Sequence, residues 1–126
     1  MGAFRPVEFS GDVPVCGNVG ARTVKIPKGQ SMEPHEHNFA HGTMVIKGPV
    51  VVRLEKDGEV REQTFNFGDF FEIPADWMHS MSAPECDAEV RCLFAVRDED
   101  GGVAYEVTDK HRKDLFWHQG WIDPNA

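Results

Sequence analysis

A chain of 126 residues is long enough for one hydrophobic core and too short for two independent ones. Its formal net charge of −8 argues against a nucleic-acid partner, because a phosphate-binding surface needs concentrated Lys and Arg. No apolar run approaches the roughly 20 residues of a membrane helix, and no basic segment, apolar run and cleavage site opens the chain, so neither a membrane partner nor a signal peptide is expected.

Taken in order, the chain reads as strands separated by Gly, Pro, Asp and Asn. Strands are expected at Ala21–Ile26, Gly42–Lys47, Val50–Lys56, Val60–Phe67, Phe70–Ile73, Met78–Ser82, Ala88–Val96 and Val103–Val107. Lys47–Gly48–Pro49 reverses the chain between two Val/Ile-rich runs. Lys56–Asp57–Gly58–Glu59 supplies the Asp-Gly pair of a tight hairpin. Val90, Cys92, Phe94 and Val96 alternate with Glu89, Arg91, Leu93 and Ala95, which predicts one strongly buried face. A short helix is possible only at Asp109–Trp117, where the basic stretch Lys110–Lys113 reads as solvated surface between Asp109 and Asp114. Eight short strands favour an all-β barrel or jelly-roll sandwich, since closure or two-sheet packing protects strand edges. The apolar surface of Phe116, Trp117 and Trp121 would be buried over one barrel end or against a second subunit, so a homodimer is expected.

Three of the six histidines fall within "EPHEHNFAHG", at His35, His37 and His41. If the stretch is extended, His35 and His37 project to the same side, and His41 shares their parity. Neutral imidazoles together favour a transition metal over calcium or magnesium. A second segment, "GDFFEIPADWMH", runs from Gly68 to His79 and delivers a further histidine at the start of a predicted strand.

Together these segments resemble the two motifs of a small single-domain cupin. Gly29, His35, His37 and Gly48 occupy the first motif's positions, with His41 where the family places a glutamate. Gly68, Pro74 and His79 match the second motif, whereas Asp76 replaces its second glycine and Ala83 its asparagine. The motifs span residues 29–83, and flanking strands extend the likeness over a single domain at 1–126. The resemblance implies a double-stranded β-helix, or jelly-roll cupin barrel, with a short irregular or helical C-terminal segment. It also implies a metal role for His35, His37 and His79. His41 is either a fourth ligand or a replacement that leaves a coordination position open.

The expected cofactor is one divalent transition metal, with Fe(II) favoured and Zn, Mn, Ni or Cu as alternatives. Dioxygenase chemistry on a small oxygen-containing substrate leads, since such a metal permits one-electron steps that side chains do not. Metal-dependent isomerisation or lyase chemistry is the alternative, with Glu33, Glu72 or Tyr105 moving a proton. A non-enzymatic metal or small-ligand module is the third reading, because four protein ligands describe a closed site. Met32, Met44, Met78 and Met81 are expected to pack or line the pocket, and Trp77 to bound it. The odd cysteine count of Cys16, Cys86 and Cys92 points to a reducing, cytoplasmic setting. Cys92 reads as core and Cys86 as an exposed turn residue. No Gly-rich phosphate loop is present.

Overall fold

The computed structural model describes residues 7–10, 17–32, 34–95, 105–108 and 113–115. Asp57 and Gly58 both adopt positive φ, 51° and 82°, as a two-residue hairpin loop requires. They join β5 (Val50–Lys56) to β6 (Glu59–Phe65), which pair from Lys56↔Glu59 to Val50↔Phe65. Before them come β1 (Glu8–Ser10), β2 (Val19–Ile26), β3 (His35–His37) and β4 (His41–Lys47). After them come β7 (Phe70–Ile73), β8 (Met78–Ser82), β9 (Ala88–Ala95), β10 (Tyr105–Thr108) and β11 (Lys113–Leu115).

The strands form two antiparallel sheets, ordered β1-β2-β9-β4-β7 and β11-β10-β3-β8-β5-β6. Their inner faces follow the alternation of the sequence: Val24 and Ile26 on β2, Val45 on β4, Val50 and Val52 on β5, Ile73 on β7, Met81 on β8 and Val90 on β9 are all buried. Full burial of one such side chain stabilises the fold by about 1.5–3 kcal/mol. The architecture is the expected all-β jelly roll of two antiparallel sheets.

Two boundaries differ informatively from the sequence reading. The strand expected to reach Phe67 stops at Phe65 because Asn66–Asp69 closes a turn. Asn66 N–H donates to Asp69 Oδ2 at 2.7 Å, Asp69 N–H returns to the Asn66 carbonyl at 2.9 Å, and Gly68 takes φ 86°. Phe67 is left 78% exposed. Within the possible helix at Asp109–Trp117, Lys113–Leu115 is instead strand β11, paired to β10 from Tyr105↔Leu115 to Val107↔Lys113. Ladder pairing there prevails over a weak helical pattern. The remainder of that segment, with Phe116, Trp117 and Trp121, lies outside the described residues, as does Cys16. The short strands β1 and β3 were not predicted as strands.

Candidate metal centre

Strand β3 has the burial alternation that its H-x-H sequence requires: His35 and His37 are buried, Glu36 half-buried. It is held on both sides, by β10 through Thr108↔His35 and Glu106↔His37, and by β8 through His35↔His79. A third tie comes from the turn before His79, where Asp76 N–H donates to the His37 carbonyl at 2.8 Å. Asp76 has φ 65°, so at the second motif's glycine position it takes the left-handed conformation that Gly adopts readily and Asp tolerates better than most residues.

The imidazoles of His35, His37 and His79 converge. Their ring centroids are 4.3 Å (His35–His79), 4.8 Å (His35–His37) and 4.8 Å (His37–His79) apart. One ligand atom from each lies within 4.8 Å of the others, a group able to hold a metal ion. With metal–nitrogen bonds of about 2.1 Å, two donors can be at most about 4.2 Å apart, so small ring rotations would complete the contraction. His41 stands beside this triad rather than in it, its ring 5.2 Å from His37 and 5.6 Å from His79.

The hydrogen bonds prepare lone pairs. His79 Nδ1–H donates to the Trp77 carbonyl at 3.1 Å, which leaves Nε2 as the acceptor nitrogen. His41 Nδ1 lies 3.0 Å from Thr43 Oγ1, and the Thr43 hydroxyl donates to Cys92 Sγ at 3.7 Å. The proton order consistent with both contacts has His41 Nδ1–H donating to Thr43, again freeing Nε2. Nε2 of His41 and of His79 is buried and has no hydrogen-bond partner. Buried polar atoms are ordinarily satisfied, and metal coordination would satisfy these two.

The protonation state agrees. Burial holds His37 and His79 well below the ordinary value near 6.5, reinforced by the positive charge of neighbouring imidazoles. Burial and then the charge of His35 bring His41 to about 3. These rings are therefore neutral at pH 7, the form that binds a cation. The space among them is a cavity of about 10 Å³, on the scale of one ion or water.

Other expected site residues fall elsewhere. Glu72 does not line this pocket: the exposed–buried–exposed–buried phase of β7 directs it outward, where it borders a separate cavity with Phe65 and Phe71. Trp77 contributes only its carbonyl, and its ring lies under the Arg61 guanidinium at 5.0 Å. Glu33 lies outside the described residues. Tyr105 is on β10, the strand beside β3, but its side chain is outside them. Met32 and Met81 are buried pocket-lining residues, whereas Met44 is exposed and Met78 half-buried. Cys92 is buried, its thiol pushed up by that burial. Cys86 is half-buried and donates to the Gly48 carbonyl at 3.1 Å.

Sequence reasoning missed Phe39 and Arg22 as lining residues. Phe39 stacks on His37 (4.6 Å, 5°) and packs on Phe94 at 4.8 Å. Arg22, 7% exposed, also reaches the pocket. Its signal was present in "ARTVKI", where it shares the phase of Val24 and Ile26.

No family model matches the sequence, and no curated protein matches it. Solved structures do match. Vicilin from Solanum melongena aligns at TM-score 0.64 with 15% identity, over 72% of this chain and 24% of that one. Oxalate oxidase in complex with the substrate analogue glycolate aligns at 0.61 with 21% identity, over 73% and 46%. Oxalate decarboxylase from Bacillus subtilis aligns at 0.64 with 22% identity, over 76% and 25%. The chain thus spans less than half the length of each of these proteins, and the likeness establishes the fold.

Proposed function

We propose that this cupin-fold chain is a metal-dependent enzyme acting on a small oxygen-containing organic substrate, with non-heme dioxygenase chemistry and Fe(II) as its resident ion. The observation that carries the reading is the buried convergence of His35, His37 and His79, with Nε2 of His79 and of the adjacent His41 lacking any hydrogen-bond partner. Histidine-rich donor sets of this kind suit a divalent transition metal, with Zn, Mn, Ni or Cu as alternatives to iron. Such an ion would supply Lewis acidity and one-electron chemistry toward an enolate or catecholate oxygen.

The chain's own contribution is to hold three imidazoles at fixed register, those of His37 and His79 kept neutral by burial, to orient His79 through the Trp77 carbonyl, and to surround the centre with Met32, Met81, Phe39 and Phe94, which limit water access. His41 governs how open the centre is. As a permanent fourth donor it would leave an octahedral ion two exchangeable positions; as a neighbour only, three. Two of the structures that share the fold are an oxalate oxidase, seen with glycolate, and an oxalate decarboxylase, which supports a small oxygen-rich substrate here. The decarboxylase keeps lyase chemistry as the alternative. A closed, non-catalytic metal site is favoured by one specific observation, the small cavity among four histidines.

A homodimer belongs to the same reading. Met44 and Phe70 pair across β4 and β7 on an outward face, 38% and 63% exposed, near Leu93 at 39%, apolar area that a second copy would cover. We place the protein in the cytoplasm; among the described residues no helix is long and apolar enough to cross a membrane.

The test is anaerobic purification with metal quantification, reconstitution with Fe(II) or Zn(II), and substrate screening with dioxygen uptake monitored. Metal-dependent product formation coupled to uptake supports the dioxygenase reading. Product without uptake excludes it in favour of lyase or isomerase chemistry.

A further inference from the structure

Cross-strand pairing sets Phe65, Gln63 and Arg61 of β6 opposite Val50, Val52 and Leu54 of β5, on the inward phase. Val50 and Val52 are buried, yet Gln63 and Arg61 are exposed and Phe65 is only half-buried. The cause is the sheet edges: β6 ends one sheet and β7 ends the other. Phe71 of β7 stacks on Phe65, their ring centroids 4.0 Å apart and planes 15° from parallel. Beside that pair the two edges leave a cleft of about 180 Å³, with Val52, Leu54 and Ile73 in its apolar wall.

The cleft adjoins the histidine pocket. Leu54 is directly opposite His79, Val52 opposite Met81, and Ile73 opposite His41. Residues so paired have Cβ atoms about 4.5–5.5 Å apart, so one layer of aliphatic side chains separates the two spaces. Ile73 and Val52 are packed at 1% and 3% exposure, whereas Leu54 is half-buried and has room to turn. The histidine pocket, at about 10 Å³, holds one ion or water. The cleft is ring-sized, since a cavity of about 150 Å³ accommodates benzene.

The rim sets the charge. Arg61 is engaged, donating to Glu59 Oε1 at 3.0 and 3.1 Å and lying 5.0 Å over the Trp77 ring. Glu62 and Glu72 also border the cleft and are exposed, so an anion would meet net negative charge there. A cation would be drawn to the rim but repelled by an ion held among the histidines.

We propose that the cleft between β6 and β7 receives the body of the substrate, an uncharged molecule with an apolar, ring-sized frame whose oxygen reaches the histidine centre past Leu54. This rests on the reading of that centre as a metal site acting on a small organic molecule. Phenols and cyclic enols are the class that fits. They are flat, apolar over the ring and able to offer an oxygen to a cation, and a phenol is neutral at pH 7, as the tyrosine side chain is. The Phe65–Phe71 pair supplies aromatic surface for such a ring.

The experiment titrates the wild type, Gln63→Trp and Gln63→Ala with phenol and with its anionic counterpart benzoate by ligand-observed NMR. Metal-free, Zn(II)-loaded and Co(II)-loaded forms are compared, with metal content and far-UV circular dichroism recorded for each. Gln63 is exposed at the cleft and outside the histidine pocket, so a tryptophan there fills the cleft without touching the metal donors. The wild type should bind phenol at least about tenfold more tightly than benzoate at low ionic strength. Gln63→Trp should lose at least about tenfold of the phenol affinity with metal content unchanged, and Gln63→Ala should keep it. Bound phenol should be broadened more by Co(II)-loaded than by Zn(II)-loaded wild type, because its ring is then close to the paramagnetic ion. No phenol binding by the wild type, which needs no variant, overturns the proposal. So do benzoate binding as tight as phenol, undiminished phenol binding by folded Gln63→Trp, and the absence of any Co(II) effect on bound phenol. If the wild type retains no metal, the metal reading fails on its own. The metal-free titrations then decide the cleft: phenol affinity lost in Gln63→Trp supports it as the ligand site, and affinity kept there overturns it.

Discussion

His35 and His79 stand directly opposite one another in the antiparallel pairing of β3 with β8, their ring centroids 4.3 Å apart. They are 44 residues apart in sequence, and each belongs to a different Gly-Pro-framed segment. The register between two short strands therefore assembles the centre, and the Asp76-to-His37 backbone bond ties the same two segments again.

His79→Ala should lose far more metal affinity than the about 10–100-fold expected for removing a residue that only orients a ligand. Elemental analysis after dialysis measures it. His37→Ala should behave alike, and wild-type metal retention in either variant would contradict the triad.

Thr43→Val removes the hydroxyl that orders the His41 proton while nearly conserving volume. If His41 coordinates permanently, metal affinity should fall by about 10–100-fold, read by competition with a chromogenic chelator. Unchanged affinity would place His41 outside the coordination sphere.

Stability of the metal-free protein should decline as pH falls below about 6.5. The sign follows from the depressed histidines: the unfolded chain takes up protons near 6.5, whereas folded His41 does so only near 3 and His37 and His79 are likewise lowered. Between those limits the unfolded state binds more protons, so stability is present above about 6.5 and is lost on acidification. Thermal melts from pH 8 to 5 should show this slope, and a His37→Gln/His41→Gln/His79→Gln variant should flatten it.

Asp76→Ala should destabilise the fold by about 1 kcal/mol, because alanine cannot relieve a φ of 65° with a local polar contact. Asp76→Gly should be nearly neutral or better. Denaturant titration compares them, and a larger loss for glycine would show that the carboxylate itself is required.

Much of the fold was legible because inward and outward residues alternate cleanly. Val50–Lys56, Phe70–Ile73 and Met78–Ser82 begin and end where their pattern and flanking turns indicate. Strand β6 lacks any buried alternation, so its end had to be read from the Asn66–Asp69 turn. The triad was legible because the H-x-H parity and the spacing to His79 both survive folding. Glu72 falls outside the histidine pocket because a carboxylate near a motif says nothing of its phase, which on β7 points outward. Phe39 was missed because a bend residue carries no periodicity. Arg22 was missed although its period-two partners Val24 and Ile26 marked it as inward.

The most direct measurement of the central claim is X-ray absorption fine structure on protein reconstituted with one equivalent of Zn(II) or Fe(II). Stoichiometric metal is expected, with an inner shell containing at least three imidazole nitrogens at about 2.0–2.2 Å. Substoichiometric uptake, or a shell without imidazole scattering, would contradict it.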